Sequence, residues 1–386
     1  MDEQQRIVII GGGIAGVSAA QAARETDPKA RIFLVCDEAE LPYYRTRILE
    51  WINGADPEKL RLRSDLWYID MGIQVVRARA TAVAAENRQV RFSDGSYLYY
   101  DRLILTTGAS AILPETVYAQ LPGVGPLRNV EDVRRVMSYT GPTVVVGDGL
   151  LAVEAAWQLS RAGRDVTILG RGRRLLAQHL DKEGSAFLLR VVELLGIHVA
   201  LQGELSALED GRAYLADGRA FAADSVVFAS GIRSNGKMGQ SAGASLNRGI
   251  LVDRQMRTTV DQVWAAGDCA ELEGEVAGLW TVAMEQGAVA GTNAAGGYRV
   301  YTPKPHAYTM QAMGIVLLSY GALDRADCLS VVNSQKPGFG KMFFESGQLV
   351  GAEMIGPDLP LLQVRKAVDS RLPREEALAI LKEALD

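Results

Sequence analysis

The sequence predicts an α/β protein with two doubly wound units on parallel strands, followed by a small α+β C-terminal domain. Three observations carry this reading. A short apolar run passes through a glycine-rich turn into a helix pattern of small residues near the start of the chain, and the same arrangement recurs over residues 143–159. After Pro303 the character changes to short apolar runs separated by turns, ending in an amphipathic stretch. The chain has 386 residues, 48% hydrophobic and 23% charged, which accommodates two or three domains and excludes disorder, collagen and coiled coil.

A net charge of −5 gives no sign of a nucleic-acid face. The longest apolar runs, such as Met313–Leu318, fall far short of the ~20 residues of a membrane span. The acidic N-terminus is unlike the basic start of a secretory signal. The three cysteines are Cys36, Cys269 and Cys328, none at CxxC or CxxxxC spacing. This argues against a zinc ribbon, a local iron–sulfur cluster or a redox disulfide, and it fits a reducing cytoplasm. No metal site is expected.

The two turns carry the chemistry. Ile7–Ile10 reads as a buried strand, followed by Gly11-Gly12-Gly13-Ile14-Ala15-Gly16 and a helix. Gly11 permits the turn, Gly13 lets a pyrophosphate approach the backbone, and Gly16 lets helix and strand pack closely. The helix N-terminus offers free N–H groups to phosphate. The next strand, Arg31–Val35, leads into Cys36-Asp37-Glu38, where an acid can bind a ribose hydroxyl; Glu38 is preferred and Asp37 second. In the second unit Thr143–Val146 leads into Gly147-Asp148-Gly149-Leu150-Leu151-Ala152, with Ala152 replacing the third glycine. Its following strand, Asp165–Leu169, ends in Gly170-Arg171-Gly172-Arg173-Arg174, without a carboxylate. That absence leans toward NADPH, or toward weak discrimination, with Arg171, Arg173 and Arg174 able to pair with a 2′-phosphate. Two such Rossmann-like units suggest that one chain binds two dinucleotides.

Two further segments, Tyr100–Ala109 with Thr107-Gly108 and Val263–Ala270 with Gly267-Asp268, fall in the order of the "ATG" and "YAxGD" motifs. Together with the two glycine turns, over residues 5 to about 300, they resemble the two-dinucleotide flavoprotein family of pyridine-nucleotide oxidoreductases. The resemblance implies FAD on the first unit and NADH or NADPH on the second. For FAD it implies contacts from Gly11, Gly13, Ala15, Gly16, Asp37, Glu38, Arg45, Ala82, Thr107, Gly108, Gly267, Asp268, Thr281 and Val282. For the nicotinamide cofactor it implies Gly147, Gly149, Leu150, Leu151, Glu154, Arg171 and Gly231. Asp268 matches the aspartate at the ribityl chain, and Glu154 matches a glutamate near the nicotinamide. Thr281 reads as the N-cap of a helix whose dipole faces the flavin. Ala229–Asn235 resembles the closing "ATGxxPN" turn, with Ser234 in place of proline.

Disulfide-reducing branches of the family carry cysteines that this chain lacks; Ala39 stands where a single-cysteine branch has its thiol. Leu41-Pro-Tyr-Tyr-Arg-Thr-Arg-Ile48 resembles the "LPYxRPxL" segment of ferredoxin and rubredoxin reductases and of the nitrite reductase flavin domain. Glu50 and the short chain are most like NADH:rubredoxin reductases. The resemblance thus implies hydride transfer from NAD(P)H to flavin, then electron transfer to rubredoxin or a similar one-electron carrier, with Glu154, Arg45 and Glu50 as catalytic candidates. Arg45, Arg47, Arg61 and Arg63 are candidates for steering that carrier. The rivals are an NAD(P)H oxidase reducing oxygen and a flavin-bearing redox sensor. A monomer or homodimer is expected. The expected domains are FAD 1–114 and 244–303, NAD(P)H 115–243, and a C-terminal sheet plus helix over 304–386. The last helix is expected from Pro373 to near Leu385, with Ala377, Leu378, Leu381 and Leu385 on one stripe.

Overall fold

The computed structural model describes residues 4–114, 121–325, 327–333 and 338–385. The expected boundary at 115 lies outside the described residues. The chain divides into two compact units: the residues through Ala111 together with Ile232–Pro303, and Ile112–Gly231 together with those from Lys304 on. The chain thus re-enters the first unit at Ile232, twelve residues earlier than the expected 244 (244 − 232). The reason is local pairing. Ile232–Ser234 forms an antiparallel ladder with Ala109–Ala111.

The first unit holds a five-stranded parallel sheet in the order Val263–Ala265, Arg102–Leu105, Arg6–Ile10, Arg31–Cys36, Ile73–Arg77. These strands read as apolar runs because both faces are covered. Ile7, Ile9, Ile32, Leu34 and Ile104 are buried with helix Ile14–Thr26 and helix Trp280–Ala294, while Val8, Leu103 and Leu105 are buried on the opposite face. The second unit repeats the plan with His198–Ala200, Val166–Leu169, Thr143–Val146, Ser225–Phe228 and Val124–Pro126, again all parallel. Each unit also carries a three-stranded antiparallel sheet.

The C-terminal region is a five-stranded antiparallel sheet in the order Ala307–Ala312, Ile315–Gly321, Gln348–Gly356, Gly338–Glu345, Cys328–Asn333. Two helices accompany it, Leu361–Asp369 and Arg374–Leu385, where the sequence reading expected one. Ala377 and Leu381 are fully buried on the last helix and Leu378 is partly buried; the side chain of Leu385 lies outside the described residues.

A buried polar cluster sits within the second unit. Asp181 caps helix Lys182–Leu194, accepting from the N–H groups of Glu183 at 2.8 Å and Gly184 at 3.0 Å. Its other oxygen accepts from Lys341 Nζ at 2.6 Å, and its own N–H donates to Glu353 Oε2 at 2.9 Å. Burial opposes charge on Asp181, but hydrogen bonds from Glu353, Lys341 and the Gly184 amide outweigh it and hold the carboxyl down at about 2. Glu353 is completely buried, and burial together with the neighbouring Asp181 pushes its carboxyl up to about 8.

A carboxyl whose folded pKa is raised binds its proton more tightly in the folded state, so stability falls as pH rises between the unfolded value and the folded one. For Glu353 that window runs from 4.5 to about 8. Glu353→Gln keeps the shape of the protonated acid. Thermal unfolding from pH 5 to pH 9 is expected to show the variant gaining progressively on the parent as pH rises. A gap that stays constant with pH would contradict this.

Candidate functional site

The first glycine turn follows strand Arg6–Ile10. Gly11 leaves it at φ +120°, and a Cβ there would fall 2.1 Å from the Thr106 carbonyl oxygen. A Cβ on Gly16 would lie 2.0 Å from the Gly11 carbonyl oxygen. Backbone packing therefore demands glycine at both places. Gly13 differs: a Cβ there meets nothing within 4 Å. It is the N-cap of helix Ile14–Thr26 and supplies no side-chain cap, so the first-turn N–H groups face an open space. The second turn repeats the features of Gly11 and Gly13, while Ala152 stands at the place of Gly16. Gly147, at φ +147°, would place a Cβ 2.4 Å from the Ala229 carbonyl oxygen, while Gly149, the N-cap of helix Leu150–Arg161, has open space around it. Two turns that are packed shut at the first glycine and open at the second fit the pyrophosphates of two dinucleotides.

Glu38, just past strand Arg31–Cys36, is at the centre of a network. It accepts from the Tyr43 hydroxyl and from Arg45 Nη2 at 2.5 Å, and the Arg45 guanidinium lies 5.0 Å from the Tyr43 ring centre. Burial alone would lower the pKa of Arg45, but Tyr43, Glu38 and Asp268 outweigh it and hold the guanidinium firmly charged. Asp37 lies outside this network, exposed and 3.9 Å from Arg79. Asp268 sits in the turn Gly267–Cys269, which the side chain of Gln286 fastens by accepting from the Gly267 N–H at 2.9 Å.

Gln286 belongs to helix Trp280–Ala294, which packs on helix Ile14–Thr26 through small residues. A Cβ on Gly287 would lie 2.2 Å from the Ala15 carbonyl oxygen, and one on Gly291 would lie 2.1 Å from that of Ala19. Thr281 is not the N-cap. The N-cap is Leu279, two residues earlier (281 − 279), without a side-chain hydrogen bond, and Trp280, the first helical residue, stacks on Tyr44 at 5.5 Å. Thr281 is exposed and Val282 buried. Thr107 donates its hydroxyl to the Asn235 carbonyl at 2.8 Å, and Gly108 takes φ +64° beside it. Ala82 lies in strand Ala80–Ala84 opposite Arg91.

Several expected partners are already engaged. Glu50 grips Arg47 through both oxygens, at 2.7 and 2.8 Å. Arg61 pairs with Glu58 at 2.6 Å and Asp65 at 3.2 Å, and Arg63 lies 5.2 Å from the Trp67 ring centre. Arg47 and Arg61 are thus neutralised by carboxylates and Arg63 lies against a ring, so these arginines do not form a bare basic patch. In the second unit, burial pushes the Glu154 carboxyl up to about 7. Leu150 and Leu151 form the first turn of its helix, Arg171 is exposed, and Gly231, at φ +112°, accepts from the Ile112 N–H at 3.0 Å.

Asp148 was not among the expected site residues. Its Oδ2 accepts from the Gly172 N–H at 2.8 Å, which brings a carboxylate to the turn that lacks one in sequence. The signal was an acid inside the glycine turn itself.

The two buried thiols, Cys36 and Cys269, are poor nucleophiles. Cys36 and Cys269 are buried; burial and the nearby Glu38 push Cys36 up to about 12, and burial also raises Cys269. Among the described residues no helix is long and apolar enough to cross a membrane, and no cluster of His, Cys, Asp and Glu could hold a metal ion.

A fold and site of this kind define a flavoprotein oxidoreductase with two dinucleotide cofactors. Residues 5–287 match the model of the pyridine nucleotide-disulphide oxidoreductase family, and the chain belongs to that family. It is 27% identical to the NADH-rubredoxin oxidoreductase of Clostridium acetobutylicum over 95% of this chain and 94% of that one. It is 33% identical, over 68% of this chain and 67% of the other, to the ferredoxin–NAD(+) reductase component of the biphenyl dioxygenase system of Paraburkholderia xenovorans. The crystal structure of the Clostridium acetobutylicum NADH:rubredoxin oxidoreductase superposes with a TM-score of 0.80 at 25% identity, covering 99% of this chain and all of that one (100%). The protein is therefore an enzyme whose cofactors are FAD and a pyridine nucleotide.

The helix contact gives a direct test. Gly287→Ala forces the two helices apart at Ala15 and is expected to destabilise the protein by about 1–3 kcal/mol, the usual cost of overpacking. Urea unfolding checks it; an unchanged midpoint would show that the contact is slack.

Proposed function

We propose that this enzyme passes electrons from NADH through FAD to a small one-electron carrier, rubredoxin or a protein like it, without a redox-active disulfide. The observation that carries the reading is the pairing of two open glycine turns with cysteines that form no disulfide, two of which, Cys36 and Cys269, are buried and held protonated. The named activity of the Clostridium relative supports the acceptor class. A cytoplasmic location agrees with the free thiols.

FAD held here would supply the exchange of a hydride for single electrons, while the protein would orient it and tune its surroundings. The first-turn N–H groups after Gly13, with Gly11, Ala15 and Gly16 setting the approach, bind the FAD pyrophosphate. Glu38, with Asp37 nearby, takes the adenosine ribose, and Ala82 lines the adenine end. Asp268, presented by Gly267, takes the ribityl hydroxyls, while Thr107 and Gly108 bring the chain close to the ring. The N–H groups at Thr281 and Val282, in the first turn of a helix without a side-chain cap, would stabilise negative charge there. Arg45 neutralises Glu38 and Asp268 around the cofactor, and Glu50 holds Arg47 at the entrance. Gly147, Gly149, Leu150, Leu151 and Gly231 receive the nucleotide, with Arg171 at its outer end and Glu154 at the nicotinamide.

The acceptor is tested anaerobically, by adding NADH to the flavin-loaded protein mixed with rubredoxin and following the iron absorbance. Fast bleaching is expected. Flavin reduction without bleaching would overturn rubredoxin as acceptor and leave oxygen or another carrier. Glu154 is tested by stopped-flow reduction of the flavin from pH 5.5 to 8.5. The parent is expected to show a rate change centred near its raised value of about 7. Glu154→Gln should flatten that profile, because the glutamine cannot ionise. An identical profile in the variant would remove Glu154 from the site.

A further inference from the structure

The two units can be laid on each other by their backbone hydrogen bonds. Gly11 N–H donates to the Val35 carbonyl at 2.9 Å, and Gly147 N–H donates to the Leu169 carbonyl at 2.9 Å. Counting from these bonds, Gly12 corresponds to Asp148, Cys36 to Gly170, and Glu38 to Gly172. The bulky and small residues have changed places. In the first unit the side chain comes from the strand end, and a Cβ on Gly12 would lie 2.6 Å from Cys36 Sγ. In the second unit it comes from the turn. A Cβ on Gly170 would lie 2.8 Å from Asp148 Cβ, and one on Gly172 would lie 2.7 Å from Asp148 Oδ2. Neither Gly170 nor Gly172 has a positive φ; what crowds a side chain there is Asp148, joined at Gly170 by Leu201, whose Cδ2 would lie 2.9 Å from a Cβ. The Gly172 N–H fixes the Asp148 side chain by donating to Oδ2, and the Asp148 carbonyl accepts from Leu176 N–H at 2.7 Å.

We infer that Asp148 is the residue that makes the second site select NADH over NADPH. It supplies, from inside the glycine turn, the ribose-reading carboxylate that Glu38 supplies from the strand end in the first unit. This inference rests on the assignment of the second turn to the pyridine nucleotide, and it deepens that assignment. An acid at this place accepts from a ribose 2′-hydroxyl and repels a 2′-phosphate. The bond to Gly172 uses Oδ2 and leaves Oδ1 for the ribose. The exposed arginines Arg171 and Arg173 favour a phosphate by charge alone, but the Asp148 carboxylate at the Gly172 amide opposes it.

The test is binding, read by calorimetric titration of the oxidised, flavin-loaded protein with NAD+ and NADP+ separately. The parent is expected to bind NAD+ more tightly by about tenfold or more, equivalent to about 1.4 kcal/mol. Asp148→Asn keeps an acceptor for the Gly172 N–H and removes the charge, so NADP+ should gain and the ratio should shrink by about tenfold. Asp148→Gly, which restores three consecutive glycines as in the first turn, should do the same. The exchange Asp148→Gly with Gly172→Glu recreates the arrangement of the first unit and should recover the preference for NAD+. A parent that binds NADP+ as well as NAD+ would overturn the inference, as would a ratio unmoved by Asp148→Asn. Loss of rubredoxin as the acceptor would leave these ratios untouched, and binding of neither nucleotide would remove the second-turn assignment itself.

Discussion

The closest backbone approaches in the first unit converge on the segment from Gly11 to Ala19. Gly11 and Gly16 press on the carbonyls of Thr106 and Gly11, while the backbone of Ala15 and Ala19 lies against Gly287 and Gly291. A Cβ on Gly267 would lie 3.0 Å from the Ala15 Cβ, so the same helix also limits the turn that presents Asp268. One small-residue helix therefore locates a strand end, the Asp268 turn and a second helix N-terminus within one unit. Any added methyl group at these places has no void to occupy, since interiors are packed to crystal-like density. Glu38, Arg45 and Asp268 become neighbours as a consequence of that packing.

The second unit repeats the strand–turn–helix device and adds a different kind of anchor. Asp181 is at once a helix cap, the acceptor for Lys341 and the neighbour of a protonated Glu353, so helix Lys182–Leu194 and the antiparallel sheet share one buried polar cluster. Burying charge is tolerable here because each ionised group has hydrogen-bonded partners. The pattern contrasts with the surface arginines Arg47 and Arg61, whose exposed pairs are screened by solvent and contribute little to stability.

Much of the architecture was legible in the chain. Apolar runs before Gly11 and Gly147 gave the parallel strands, because strands covered on both faces lose their alternation. The glycine turns gave the helix starts, since only glycine fits against a backbone carbonyl at about 2 Å. Thr281 misled because a hydroxyl residue near a helix start reads as a cap, whereas the helix starts at Trp280, which stacks on Tyr44, 236 residues away in sequence (280 − 44). The first of the two C-terminal helices, Leu361–Asp369, escaped because its pattern is short and begins after a proline.

The sequence by itself determined the class of cofactor, the order of the two turns and the lack of a cysteine pair. These depend on residues close together in the chain or on residues simply not present. Tertiary structure decided which charges meet. Arg45 was joined to Glu38 and Asp268, Asp181 to Lys341 and Glu353, and Asp148 to the amide of Gly172. Electrostatic and hydrogen-bond energies depend on distances of a few ångströms between groups far apart in sequence, and only the packed chain sets those distances.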